Sequence, residues 1–115
     1  MAQVYLKNIN HEEVLSLADQ VMIQKGQVVS KTLAQNKAVS MTLFAFDQDE
    51  EISSHDSSGD AMVTVLEGVG KITIGANDYL VGAGETIIMP AKIPHAVYAK
   101  EQFKMLLTVV FPMNN

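Results

Sequence analysis

Two histidines are the residues of this chain best suited to chemistry. His55 lies in residues 52–68, ISSHDSSGDAMVTVLEG, and His95 in residues 84–98, GETIIMPAKIPHAVY. Imidazole changes charge near neutral pH, passes protons in catalysis, and ligates transition metals through either ring nitrogen. Both histidines are set in apolar, strand-prone sequence, so a site made from the pair would lie between strands. Three roles stay open at this level: metal ligands, acid–base or hydrogen-bonding groups of a metal-free site, or polar lining of a barrel pocket. An acid–base role needs a carboxylate to orient the ring, and none lies at obvious spacing. His11, the third histidine, has no ligand partner at local spacing and is expected to face solvent.

Other residues invite a chemical reading and have a simpler one. Met22, Met41, Met62, Met89 and Met105 recur through the chain, and adaptable core filling explains them better than a metal or redox site. Tyr98 follows His95 by three residues, an odd spacing that turns it to the other strand face as a packing residue. Gly68 and Gly70 flank a turn between strands and open no helix, so they form no phosphate loop. Ser53, Ser54, Ser57 and Ser58 read as loop polarity, since none stands in a nucleophile elbow.

The elements that must position the histidines are mostly strands. Asn10 reads as an N-cap with Glu13 as its capping-box partner, and Val14, Leu15, Leu17, Ala18 and Val21 give an apolar face, predicting a helix over 11–18. From residue 21 the period changes to two: Val28, Ser30, Thr32 and Ala34 alternate with Val29, Lys31 and Leu33, before a polar turn at residues 35–37. Strands are expected at 39–46, 62–66, 71–74, 79–81, 86–89, 96–99 and 103–111, with a hairpin turn at Asn77 and Asp78. Residues 47–51, DQDEE, form an acidic block expected as a solvated loop. Pro90 and Pro94 frame the loop that delivers His95.

Composition narrows the partners. Hydrophobic residues make up 48% of the 115 and charged ones 18%, enough apolar surface for one core in one domain. A net charge of −5 argues against nucleic acid or an anionic membrane, both of which demand clustered Lys and Arg. No apolar run is long enough to span a bilayer, and the opening residues MAQVYLKNINHEE lack the basic start and apolar stretch of a secretory signal, so a cytoplasmic protein is expected. The absence of cysteine removes disulfides and thiolate metal sites. Exposed strand edges need protection, which points to a homodimer.

The two histidine segments resemble the signature motifs of the cupin superfamily, most specifically in VLEG and GETIIMP…PH, and the similarity spans residues 38–112. It implies an all-β fold, a cupin-type double-stranded β-helix or jelly-roll barrel with a short N-terminal helix. Residues 1–115 then form one cupin domain, with the barrel core at about 38–112 and an N-terminal helix and strand at about 1–37. In that family three histidines and a carboxylate hold a first-row divalent metal. Aligned on His55 and Gly68, the second histidine position is Ser57 and the glutamate position is Ala61, while His95 keeps the last histidine. Lys92 and Ala99 stand where the second motif has glycine and asparagine.

The ligand set implied by the resemblance is therefore His55 and His95, with Asp60 or Ser57 as candidates to complete it. Strand parity argues against Asp60. It would point with Met62 and Thr64 away from the face shared by His55, Ser57 and Ala61, unless the backbone is irregular near Gly59. The expected pocket is lined by His55, Ser57, Ala61 and His95, and it takes a small organic ligand. A divalent transition metal (Fe, Mn, Ni, Cu or Zn) there would support oxygenase, isomerase or lyase chemistry. Without a metal, the same pocket makes a non-catalytic binding or sensing module.

Overall fold

The computed structural model describes residues 4–113, so the first three residues of the signal-sequence reading lie outside the described residues. Among the described residues, nine strands form two antiparallel sheets. They are β1 (Val28–Gln35), β2 (Val39–Phe46), β3 (Glu51–His55), β4 (Asp60–Glu67), β5 (Val69–Ile74), β6 (Asn77–Gly82), β7 (Thr86–Met89), β8 (His95–Tyr98) and β9 (Phe103–Val110). One sheet has the order β1-β2-β9-β4-β7 and the other β3-β8-β5-β6. The sheets face each other as a jelly-roll barrel, with Val63 and Val65 from the first and Ile72 and Val97 from the second meeting in one core.

Alternation explains how each strand feeds that core. On β4, Ala61, Val63 and Val65 are buried while Asp60, Met62 and Glu67 are exposed. On β2 both faces are apolar because both are covered. Phe44 and Phe46 point into the barrel, and Leu43 and Ala45 join a second cluster with Val21 and Leu33 on the outer face of the same sheet. The segment before β1 makes that outer cover, with Ile9, Leu17 and Ile23 packed on the cluster. It is tied to β1 by the Lys7 amide donating to the Leu33 carbonyl at 2.8 Å and the Asn8 side chain donating to the Thr32 carbonyl at 2.8 Å.

This cover corrects the expected helix over 11–18. The helical element is a single 3-10 turn at Leu17–Gln20. Glu12 takes φ 55°, a left-handed conformation that breaks an α-helix, and the Glu13 carboxylate accepts from the Asn10 side chain at 2.9 Å instead of capping the backbone. The apolar spacing serves an extended strap whose Ile9 and Leu17 reach the sheet, while Val14 is fully exposed. Packing on the sheet outweighs a weak local helix propensity.

One further expectation changes. The hairpin between β5 and β6 turns at Gly75 and Ala76, with Ile74 opposite Asn77, so Asn77 and Asp78 belong to the strand. Gly75 adopts φ 60°, the positive value that a two-residue hairpin demands and glycine meets most easily. The acidic block is a mostly exposed loop, as expected, that leads into β3 at Glu51 and is held by its own carboxylates. The Asp47 carboxylate accepts from the Gly26 amide at 2.7 Å and the Gln102 side chain at 2.8 Å, and Asp49 accepts from the Tyr98 hydroxyl at 2.6 Å. Among the described residues, no helix is long and apolar enough to cross a membrane.

Candidate functional site

His55 and His95 meet because β3 pairs with β8. Ile52 lies opposite Val97 and His55 opposite His95, so β3 spends one residue more than β8 between the two pairs. That irregularity is a bulge. In a regular strand Ile52 and His55 would face opposite ways, and the extra residue turns both toward the same cavity. The rings stand edge to face, with centroids 4.5 Å apart at 72°.

The two rings differ in surroundings. His55 is exposed at the mouth, and its Nδ1 lies 2.9 Å from the Ser53 carbonyl within the bulge. A carbonyl only accepts, so Nδ1 carries the hydrogen and Nε2 keeps a bare lone pair. His95 is 4% exposed, and its Nδ1 is buried without a hydrogen-bond partner. Burial holds the His95 imidazole below its ordinary pKa, and a charge on neighbouring His55 would push it the same way. The Ile93 backbone and the Asp56 carboxylate pull in the other direction.

Between them lies a cavity of about 170 Å³. Phe44, Ile52, Val97 and Leu107 give it apolar walls, and Met89 and Met105 contribute two thioethers. These six partners escaped the motif comparison. Facing positions on distant strands leave no local spacing to read.

The other candidates sit outside this lining. The Ser57 hydroxyl donates to the Gly59 carbonyl at 2.7 Å and accepts from the Gly59 amide at 3.2 Å. Asp60 opens β4 on its exposed face, as parity predicts, and its Oδ1 accepts from the Ala91 amide at 2.8 Å. The Ser57 carbonyl accepts from the Lys92 amide at 2.8 Å. Both residues thus fasten the 90–94 loop that carries His95 into place. Ala61 is 1% exposed in the core and pairs with Met89 across β4 and β7. Among the described residues no three His, Cys, Asp or Glu side chains converge. Tyr98 faces away from His95, as its spacing predicts, and its bond to Asp49 raises the phenol pKa.

Two antiparallel sheets closed over a histidine-edged cavity define the class of small jelly-roll barrels. Residues 42–111 match the family model described as a cupin domain, and the chain belongs to that family. It is similar to a conserved protein of unknown function, SPY1581, from Streptococcus pyogenes, at 49% identity and TM-score 0.96, covering 99% of this chain and 100% of that one. A cupin superfamily protein, DSY2733, from Desulfitobacterium hafniense is 31% identical with TM-score 0.90, over 95% of this chain and 100% of that one. A cupin 2 conserved barrel domain protein from Leptotrichia buccalis is 42% identical with TM-score 0.82 over 84% of this chain, which spans 47% of that longer one. No protein of curated function matches the chain.

Proposed function

We propose that this cupin binds a small, largely apolar organic molecule in the His55–His95 cavity. The observation that carries the reading is His95, a buried imidazole whose Nδ1 has no hydrogen-bond partner, lining an otherwise apolar cavity beside His55. A buried polar group without a hydrogen bond is costly, and a ligand that meets it recovers that cost. A dry apolar cavity of roughly 150 Å³ accepts a benzene-sized molecule, which sets the scale of the apolar part. The bare Nε2 of His55 accepts a hydrogen bond, so a phenol or short alcohol complements the mouth. A separate observation, the exposed Met62, Ile88 and Val110 on one sheet face, supports reading the chain as a homodimer that covers them. A solution mass near one chain by light scattering would end the dimer part.

The test is a thermal-shift titration of the metal-free protein with phenols and short alcohols. Ligand at a hundred times its Kd stabilises by about 2.7 kcal/mol, so binding raises Tm in a dose-dependent way. Val97→Phe, which puts volume into the cavity, is expected to abolish the rise. If no compound raises Tm, or if the rise persists in Val97→Phe, the reading fails.

A further inference from the structure

The sheet β1-β2-β9-β4-β7 is one layer thick, and its two faces carry different loads. Along β2, Leu43 and Ala45 pack under the N-terminal strap, while Phe44 between them lines the cavity. Along β9, Leu106 packs under the strap, while Met105 and Leu107 on either side of it line the cavity. The strap therefore lies a single strand's thickness from the cavity wall. Lys104 shares the outer face with Leu106 and is 8% exposed. Its ammonium donates to the Ala18 carbonyl at 2.7 Å and lies 3.7 Å from the Glu67 carboxylate. Lys31 of β1 donates to the Gln20 carbonyl at 3.3 Å. Both carbonyls belong to the 3-10 turn Leu17–Gln20, and the last carbonyls of a helical turn find no partner inside it. Two lysines of the sheet thus tie down one turn of the strap.

We propose that the strap, residues 6–23, lifts from the barrel as a unit, that Lys104 is the latch holding it down, and that its docking regulates the cavity. The strap's own bonds are local, His11 to the Leu6 carbonyl at 2.7 Å and Asn10 to Glu13 at 2.9 Å, so they survive its lifting. Gly26, at φ 70° in the turn before β1, is the hinge, since its amide is anchored to Asp47 and fixes the chain beyond it. Lifting strips the cover from Leu43 and Leu106 and loosens β2 and β9, whose inner side chains are the cavity wall. A molecule that fills the cavity braces Phe44, Met105 and Leu107 and so favours the docked strap, because coupling between two sites runs equally in both directions.

The experiment is native-state hydrogen exchange by NMR on the full, metal-free chain. The reporters are the Lys7 amide, bonded to the Leu33 carbonyl, and the Asp19 amide, bonded to the Ser16 carbonyl. Their protection is expected to be at least about tenfold below that of β5 amides, the mark of a segment opening while the barrel stays closed. Lys104→Ala is expected to lower strap protection by about tenfold. Phe44→Leu, a change on the cavity wall alone, is expected to lower it several-fold, because the wall contact it weakens is lost when the strap opens. Phenol at a hundred times its Kd is expected to raise strap protection by up to about a hundredfold. Circular dichroism confirms that each variant is folded. Strap amides as protected as those of β5, or unchanged strap exchange in folded Lys104→Ala, would overturn the latch. Unchanged strap exchange in folded Phe44→Leu would overturn the coupling. Only the phenol arm rests on the ligand reading: phenol that raises Tm without slowing strap exchange also overturns the coupling, whereas phenol that raises no Tm counts against the ligand reading and leaves the Phe44→Leu test to decide.

Discussion

Replacing His95 by leucine is expected to make the ligand-free protein more stable. His95 is 4% exposed and its Nδ1 has no partner, so the folded chain carries a desolvated polar atom that the unfolded chain keeps in water. Such an atom costs about 1–3 kcal/mol. Leucine is close in size to imidazole, which limits repacking losses to under about 1.5 kcal/mol. It also gives up the edge-to-face contact with His55, about 0.5–1 kcal/mol at an exposed partner ring. Taken at their midpoints these terms favour His95→Leu by about 0.5 kcal/mol, or about 2 °C in Tm for a domain of this size. Thermal denaturation followed by circular dichroism, on chelator-treated protein without added compounds, measures it. His95→Gln keeps a buried polar end and is expected to show no gain. A His95→Leu variant no more stable than the parent would refute the argument that the site holds an unmet polar group. A gain accompanied by lost ligand binding would mark the exchange of stability for function common at binding sites.

Two further outcomes are expected away from the cavity. A Cβ on Gly70 would lie 2.6 Å from Phe103 Cε2, and Phe103 is stacked on Phe46 at 4.6 Å, so the ring has nowhere to go. Gly70→Ala is expected to cost about 1–3 kcal/mol in urea denaturation, and a midpoint unchanged from the parent would show that the ring can yield. The Asp47 carboxyl is held below its usual 3.8, first by the Gly26 amide, then by Gln102 and the Gln48 amide. A depressed folded pKa gives stability that is present above the unfolded pKa and lost as pH falls through the folded one. Asp47→Asn is therefore expected to flatten the loss of stability below about pH 4, and an acid limb parallel to the parent's would contradict it.

The sequence by itself determined the sheet architecture and the two residues that matter most. Period-two runs such as VSMTLFAF and DAMVTVLE make strands because alternating side chains need a buried face, and turn residues separate them. His55 and His95 stood out through their motif context, and parity already turned Asp60 outward. Other features depended on contacts between distant segments. The helix-like spacing at 11–18 became an extended strap because the outer face of a sheet was there to cover, and sequence periodicity does not register that surface. The bulge in β3 brings His55 onto the face of Ile52, and it depends on how β3 and β8 settle against each other. Met89 and Met105 belong to strands on the opposite wall, so their meeting with the imidazoles is a product of barrel closure. Local chemistry sets which faces are apolar; only closure of the two sheets decides which side chains share a cavity.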